Sequence, residues 1–538
     1  MPEPMKSPAS HVPLTTDAAH RINLSAPDAA ATGLLTLICL VPVLADRTAF
    51  FDTTIAMKSL VGLLEGAFVV LVINQRQAPI PNWRIIPRSL LWIGGAWLAW
   101  STLSVILAGH PINAVVRHGE WLLHGLFAVS LWIYLQLSPE MGRRFSIAAV
   151  GGFFAYLGLF TLAWFATPDP TEARWIGSMP GFAHIRHFGY YASACLVLAC
   201  WPWATKREAG STGLRVFCTL ALVACWTLLF WAGGRGPFFA LFTSIGLLAV
   251  VGLIPNPRKL LIILVTTAVI GFYLSDVFAT SSLGADRLIQ TAANSQSMDQ
   301  YSSGRLTLWQ DALALIASRP WFGLGPDGYL LETSPRWAGT VQPHSFLIQA
   351  VVSWGFVGGA LAVALLLTAA VLIGWKLRTQ RSEDPYGRHF IGFWLALMLG
   401  IFSVVDGTLY HALPMAFTAI GLALAIPVPK SVARASQNRG DRRRWNVIAA
   451  ICLTPILIHT LSLWAAWTDK PPLRDSWRTQ VVWMFPSALS DPFRANIISR
   501  WSCAWEEHER EIWQQTLAPH LRTISVSVGE RGCLDHNP

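Results

Sequence analysis

The sequence predicts an all-α polytopic membrane protein with about 12–13 transmembrane helices. Of its 538 residues, 53% are hydrophobic and 13% are charged, whereas a soluble globular chain carries about 25% charged residues. Apolar runs of about 20 residues recur between Thr32 and Trp467, and each can cross a hydrocarbon layer of about 30 Å as a helix. Lipid offers the backbone no hydrogen-bond partners, so these runs must form helices.

The apolar runs divide the chain into a cytoplasmic N-terminal tail of residues 1–31, a transmembrane domain of residues 32–467 and a C-terminal tail of residues 468–538. The predicted spans are 32–45, 56–74, 89–108, 119–137, 146–166, 188–204, 214–232, 237–254, 260–278, 344–375, 389–405, 410–427 and 446–467. The longest segment between two spans, residues 279–343, is predicted to be a large loop carrying short amphipathic helices.

Lysine and arginine gather in alternate loops and so predict the orientation of the chain, because basic loops stay in the cytoplasm. The basic loops hold Arg76, Arg84, Arg88, Arg143, Arg144, Lys206, Arg207, Arg215, Arg258, Lys259, Lys376, Arg378, Arg381 and Arg388. This pattern predicts a cytoplasmic N-terminus, with the 279–343 loop and the C-terminal tail on the opposite side of the membrane. Topology accounts for most of the net charge of +10, and no aromatic–basic module indicates a nucleic-acid partner.

Two of the eight cysteines, Cys503 and Cys533, lie in the C-terminal tail, while the other six lie within predicted spans. An oxidising compartment would permit a disulfide between Cys503 and Cys533. Pairing cannot be read from sequence, so the free and the bonded states both stay open.

The large loop contains a predicted amphipathic helix that begins near Arg305. Ser303 is a candidate N-cap and Pro320 ends the helix. The apolar positions at helical spacing are Leu306, Trp309, Leu313 and Ile316. Arg305 then lies in the first turn, where the helix dipole favours anions over cations. An anion bound beside Arg305 would explain this placement, and a solvated surface arginine is the alternative.

His344 precedes the longest apolar run, residues 344–375. As one helix this run would be about 45 Å long and would exceed the hydrocarbon layer by about three turns, so His344 can stand above the membrane at a helix start. The partial positive charge there favours a neutral imidazole, which can act as a general base. A merely polar helix end is the alternative.

Two further arginines fall on the same side of the predicted membrane. Arg235 lies in a very short turn between two spans, and Arg186 lies just before the sixth span. An arginine held this close to the membrane needs a polar cavity or partner. Asp406 and His411 flank another outer turn. This outer surface, rich in cations and poor in carboxylates, suits a doubly charged phosphate ester.

Four short motifs occur in order within residues 231–367. They are Arg235 within Gly-Arg-Gly; Ser303-Gly304-Arg305 with Trp309; Arg319-Pro320 with Gly323-Leu324-Gly325; and Pro343-His344-Ser345-Phe346-Leu347 followed by Gly355 and Gly358. In this order and spacing the sequence resembles the O-antigen ligase and O-antigen polymerase superfamily. One departure is Ser345, where many members of that family have asparagine.

The resemblance implies a GT-C-like membrane fold and an inverting glycosyltransferase that uses no metal, nucleotide or other cofactor. It implies a location in the bacterial inner membrane, with the outer loop and the C-terminal tail in the periplasm. It also implies a glycan donor on undecaprenyl diphosphate and an acceptor hydroxyl in the periplasm, on lipid A core for a ligase or on a growing glycan for a polymerase. His344 matches the family's base, and Arg235 and Arg305 match the arginines that bind the donor diphosphate. The resemblance does not clearly reach Arg186, which stays a candidate substrate-binding residue.

Two other functions compete with glycan transfer from a lipid diphosphate. A multi-span polysaccharide or lipid transporter, or flippase, could use Glu65, a carboxylate within the second span, although no internal repeat of the kind found in many transporters is evident. A different membrane glycosyltransferase could use Asp46 or Asp52 in the first outer loop.

Overall fold

A computed structural model describes residues 26–46, 53–75, 86–138, 140–173, 175–182, 184–204, 211–280, 283–287, 297–332, 342–379, 387–427, 453–457 and 460. In these residues the chain is helical with no strand, and nine helices are long and apolar enough to cross a membrane. The prediction of an all-α polytopic membrane protein is confirmed.

Each of the first twelve predicted spans overlaps one principal helix. These are α1 (Ala26–Leu44), α2 (Thr53–Asn74), α3 (Arg88–Ile106), α4 (Pro111–Leu137), α5 (Met141–Ala166), α7 (Ile185–Ala199), α9 (Thr212–Ala232), α10 (Arg235–Val250), α11 (Pro257–Ser275), α15 (Phe346–Thr379), α16 (Arg388–Val405) and α17 (Ala412–Ala425). The short helices are α6 (Trp175–Ser178), α8 (Trp201–Ala204), α12 (Met298–Tyr301), α13 (Arg305–Ser318) and α14 (Gly328–Glu332). Most of the thirteenth predicted span and the whole C-terminal tail, with Cys503 and Cys533, lie outside the described residues.

The short helix α7 lies in the interior of the bundle. Every residue from Phe188 to Ala199 is buried, which is the pattern of a helix surrounded by other helices. It packs against α5, α9, α10 and α16. The first turn of α7, which carries Arg186, therefore lies near the middle of one end of the bundle.

Helix α13 packs against the start of α15 through Leu308, Ala312 and Ile316, which are buried with Val352 in a small core of their own. The predicted apolar face of α13 was therefore partly wrong: Leu313 is 51% exposed. The reason is that the contact follows an i, i+4, i+8 row turned away from Leu313. We call the side of the bundle on which α13 lies the loop side.

Helix α15 is broken at Gly355, whose φ of 69° and ψ of −179° are not helical. The prediction of one continuous helix from His344 was therefore wrong. A Cβ atom on Gly355 would collide with the carbonyl group of Trp321. Only glycine lets the loop backbone approach this closely at a positive φ.

The backbone groups at the break are paired with the loop and with α3. The bonds are Leu324 N to Val352 O (2.8 Å), Gly325 N to Ser353 O (3.1 Å), Phe356 N to Pro320 O (2.8 Å), Ser104 Oγ to Ser353 O (2.9 Å) and Trp100 Nε1 to Trp354 O (3.1 Å). Irregular backbone is tolerated at membrane depth only when it is satisfied in this way. The Gly323-Leu324-Gly325 motif thus has a structural role.

The substitution Gly355→Ala should lower the free energy of unfolding by about 3–5 kcal/mol, because it adds positive-φ strain to a steric clash. Gly252→Ala is the matched control: Gly252 also has a φ of 69°, but a Cβ there meets no atom within 4 Å. Gly252→Ala should therefore lower the free energy of unfolding only by the backbone strain of a positive φ, about 1–2 kcal/mol. Thermal unfolding in detergent measures both, and equal losses would contradict the role given to the break.

Candidate active site

Four arginines from separate parts of the chain line one cavity on the loop side. The cavity has a volume of about 210 Å³, and among the described residues lining it Asp406 contributes the one carboxylate. The arginines are Arg186, Arg235, Arg287 and Arg305. The three arginines predicted from the sequence therefore come together, and Arg287 joins them.

Arg235 is the first residue of α10 and follows a glycine turn. Gly233 ends α9 with a φ of 60°, a conformation that favours glycine. A Cβ on Gly233 would lie 3.0 Å from both Arg287 Cβ and Gly284 O. The absence of this Cβ lets the segment 284–287 pack onto the turn, and this contact brings Arg287 to the cavity beside Arg235.

The guanidinium of Arg235 is held by the loop. Its Nη2 donates to the Tyr301 carbonyl oxygen at 2.6 Å and lies 3.3 Å from Ser303 Oγ. The guanidinium also stacks over the Tyr301 ring, 4.7 Å from its centroid. Neutral acceptors therefore orient Arg235 without cancelling its charge.

Arg305 begins α13, and its Nη2 lies 3.3 Å from Asp406 Oδ2. The predicted N-cap, Ser303, was wrong: Ser303 is left-handed with a φ of 59°. The first turn is capped from farther back, since Ser302 Oγ accepts from Leu306 N and Asp299 Oδ1 accepts from Thr307 N. The predicted place of Arg305 in the first turn is confirmed.

Arg186 lies in the first turn of α7. The helix is capped by His184, whose Nδ1 accepts from Arg186 N at 3.1 Å. Burial, reinforced by the charge of Arg186, lowers the pKa of His184 to about 3. His184 is therefore neutral near pH 7 and does not add to the positive charge of the cavity.

His344 lies two residues before α15, in a left-handed conformation with a φ of 52°. The prediction that His344 starts the helix was therefore wrong by one residue. The first helical hydrogen bond is accepted by the carbonyl oxygen of Ser345, from Gln349 N. Pro343 is fixed from α13, because Trp309 Nε1 donates to its carbonyl oxygen at 2.8 Å. Nδ1 of His344 lies 3.1 Å from Asp406 Oδ1.

Asp406 joins the histidine to the arginines. Its carboxylate also accepts from Gly407 N at 2.9 Å, and its side chain is buried. Burial alone would raise the pKa of Asp406, but the hydrogen bond and charge of His344 and the charges of Arg305 and Arg186 outweigh it. They hold the pKa of Asp406 far below its ordinary value, so this buried group is a carboxylate near pH 7.

The cavity carries an excess of positive charge. Burial, partly offset by Asp406, lowers the pKa of Arg305, and burial with the charges of Arg186 and Arg235 lowers the pKa of Arg287. No carboxylate in the described part of the chain forms an ion pair with Arg186 or Arg235. An anion entering the cavity would relieve this mutual repulsion.

Two of the three carboxylates considered for the competing functions, Asp46 and Glu65, have partners elsewhere. Asp46 Oδ1 accepts from Gly181 N at 2.8 Å, and Asp52 lies outside the described residues. Glu65 is fully buried within 2.8 Å of His124 Nδ1. None of the described carboxylates other than Asp406 lines the arginine cavity.

The family comparison falls on this part of the chain. Residues 220–363 match the family model for O-antigen ligase. The resemblance predicted from the four motifs is confirmed, since the matched segment contains all of them. The O-antigen ligase match implies a membrane glycosyltransferase-like enzyme with, in general terms, a lipid-linked glycan and an acceptor of the lipid A-core type. No match was found among curated proteins.

Two residues at the cavity of this O-antigen ligase-like chain were missed as site residues. Asp406 lies outside the matched segment, and its sequence context indicated only an outer turn. Arg287 lies inside that segment, within a polar run that has no motif. The sequence held one indication that another segment approaches Arg235, namely the glycine pair before it, because paired glycines allow close backbone approach. It did not indicate that this segment carries Arg287.

The substitution Asp406→Asn should lower the free energy of unfolding at pH 7 by about 3 kcal/mol, because it breaks a buried ion pair. The folded-state pKa is depressed, so this stabilisation is complete above the unfolded pKa of about 4 and is lost as the pH falls below it. Thermal unfolding at pH 7 and pH 3 tests this, with the exposed Asp276→Asn as control. If wild type and Asp406→Asn differed in unfolding temperature by the same amount at both pH values, the assignment of a buried, ionised Asp406 would be contradicted.

Proposed function

We propose that this protein transfers a glycan from undecaprenyl diphosphate to an acceptor hydroxyl at the periplasmic face of the bacterial inner membrane, with inversion. The acceptor is lipid A core in a ligase or a growing glycan in a polymerase. The observation that carries the proposal is the four-arginine cavity beside a carboxylate-bound histidine. The O-antigen ligase match supports the reaction class.

The cavity suits the diphosphate of the donor. A diphosphate diester carries two negative charges, and among the described residues lining the cavity four arginines face one carboxylate. As the sugar leaves, further charge develops on the bridging oxygen. Fixed arginines stabilise that charge without reorganising, so the proposed reaction uses no metal ion.

Asp406 selects the tautomer of His344. An ionised carboxylate can only accept hydrogen bonds, so the contact at 3.1 Å requires a proton on Nδ1 of His344. The lone pair is then on Nε2, the nitrogen that would receive the acceptor proton. The same carboxylate stabilises the imidazolium formed by that transfer. Asp406 is thus proposed as the residue that orients the base.

The reaction balances with these groups alone. The acceptor oxygen loses its proton to His344 Nε2 and forms a bond to the anomeric carbon. The bond from that carbon to the diphosphate oxygen breaks, and its electron pair leaves with the lipid diphosphate, which the arginines hold. Attack opposite the leaving group inverts the anomeric centre. The proton on His344 is later released to solvent.

The lipid chain would follow α10 away from the cavity. Phe239 and Phe242 lie four and seven residues after Arg235, on the same helix face, and are 46% and 61% exposed. An isoprenoid chain attached to a diphosphate at Arg235 can lie along this face within the hydrocarbon layer. The periplasmic assignment rests on the basic loops of the opposite side.

Purified protein should transfer glycan from an undecaprenyl-diphosphate donor in the presence of EDTA. Core-linked product would identify a ligase, and chain extension without core linkage would identify a polymerase. His344→Ala should lower kcat about 10²–10⁴-fold by removing the base, and Arg235→Gln about 10²–10³-fold by removing charge stabilisation. Product mass and turnover rate give both readouts.

Arg258→Gln is the matched control, because Arg258 is exposed at the first turn of α11 and does not line the cavity. It should leave turnover within about twofold of wild type. Full activity of His344→Ala would refute the base assignment. Donor binding without transfer to any acceptor, or lipid translocation that survives in His344→Ala, would favour the transporter alternative.

A further inference from the structure

A network of buried charged and polar side chains lies beside the candidate active site and shares no residue with it. It consists of Lys58 on α2, Arg117 and Glu120 on α4, Asp327 on the loop, and Tyr410 on the turn between α16 and α17. We call these five residues the buried network. Each is less than a tenth exposed.

The network is continuous. Lys58 Nζ lies 3.0 Å from Glu120 Oε2, and Arg117 Nη1 lies 2.7 Å from the same oxygen. Arg117 Nε lies 2.9 Å from Asp327 Oδ1. The Tyr410 hydroxyl donates to that Asp327 oxygen at 2.7 Å. Two positive and two negative charges therefore balance, and Tyr410 occupies the loop-side end.

Arg117 also contacts Tyr410 directly. Its guanidinium lies 3.9 Å from the centroid of the Tyr410 ring, and Nη1 lies 3.4 Å from the Tyr410 carbonyl oxygen. The ring, the hydroxyl and the backbone of Tyr410 are thus all held by groups on other elements. A buried ion-pair network is weak evidence for stability, since apolar packing often does as well. Its better-attested use is to fix one arrangement of the chain.

The arrangement fixed here is that of residues 406–411. Tyr410 ends a single 3-10 turn, Thr408–Tyr410, that starts two residues after Asp406. Gly407 lies between them and has no side chain of its own to anchor the turn. At one end of the turn Asp406 contacts His344 and Arg305. At the other end, Tyr410 contacts the buried network.

We propose that Arg117, Asp327 and Tyr410 are positioning residues, which hold the 406–411 turn so that Asp406 keeps His344 oriented for catalysis. The inference rests on the proposed function. Asp327 belongs to the same loop as Arg305, and Arg117 belongs to a transmembrane helix, so the network ties the turn to both. A displacement of about 1 Å at a reacting group can cost about 10²-fold in rate.

The test compares Tyr410→Phe with Tyr134→Phe. Both substitutions remove one tyrosine hydroxyl bonded to an aspartate, since Tyr134 donates to Asp28 at 2.6 Å and does not line the cavity. Tyr410→Phe should lower kcat about 10–100-fold and leave the KM for the lipid donor within about threefold, because the arginines are intact. Tyr134→Phe should leave kcat within about twofold. Equal kcat losses, or none in Tyr410→Phe, would overturn the proposal.

A double-mutant cycle separates positioning from a general loss of structure. If Tyr410 acts through Asp406, adding Tyr410→Phe to Asp406→Asn should lower kcat less than about threefold further. The same fold loss in both backgrounds would mean that Tyr410 acts independently of Asp406, and the proposal would fail.

Hydrogen exchange tests the same idea without relying on activity. In Tyr410→Phe the backbone amides of residues 406–411 should exchange at least about tenfold faster, whereas Tyr134→Phe should leave them unchanged. Unchanged exchange in Tyr410→Phe would overturn the positioning role. Absence of transfer by wild type would instead remove the proposed function, and the exchange result would still decide whether the network holds the turn.

Discussion

The geometry of the cavity depends on the contacts that the Asp406 carboxylate makes with His344 and Arg305. The carboxylate meets His344 from the segment before α15 and Arg305 from α13, while its own backbone ends α16. Three elements far apart in sequence therefore converge on two oxygen atoms. Because the group is buried, it is stable as an anion only while the cations stay in place. In turn, the negative charge of Asp406 reduces the electrostatic repulsion between the arginines.

The spans and the arginines could be predicted because their signals are local. An apolar run identifies a helix by itself, and an arginine such as Arg235 in a very short turn is conspicuous without knowledge of its neighbours. Asp406 and Arg287 could not be assigned to the site in this way. Their place depends on approaches between distant segments, such as the contact of Arg287 with the side-chain-free face of Gly233. The break at Gly355 was hidden because the apolar run continues through it.

Backbone strain is concentrated in the loop and at its end. Among the described residues, the non-glycine positions with positive φ are Ser303, Asp327 and His344. Each adjoins a functional contact: Ser303 touches Arg235, Asp327 binds Arg117 and His344 binds Asp406. Left-handed conformations cost free energy and persist only where surrounding contacts enforce them. The contacts of α13 with α15 and of residues 320–325 with the break supply that enforcement.

The break in α15 also has a consequence for the order in which the protein assembles. Carbonyl groups left unpaired in hydrocarbon cost several kcal/mol each, and those of Ser353 and Trp354 find partners in Ser104 and Trp100 of α3. Before α15 packs against α3 and the loop, these carbonyl groups lack those partners. An unbroken helix, which pairs them internally, is then expected to be the more stable form. We therefore expect the bend to form only once α3 and the loop have docked. We therefore also expect the site to form late in assembly, because the loop that carries Arg305 packs against the broken helix.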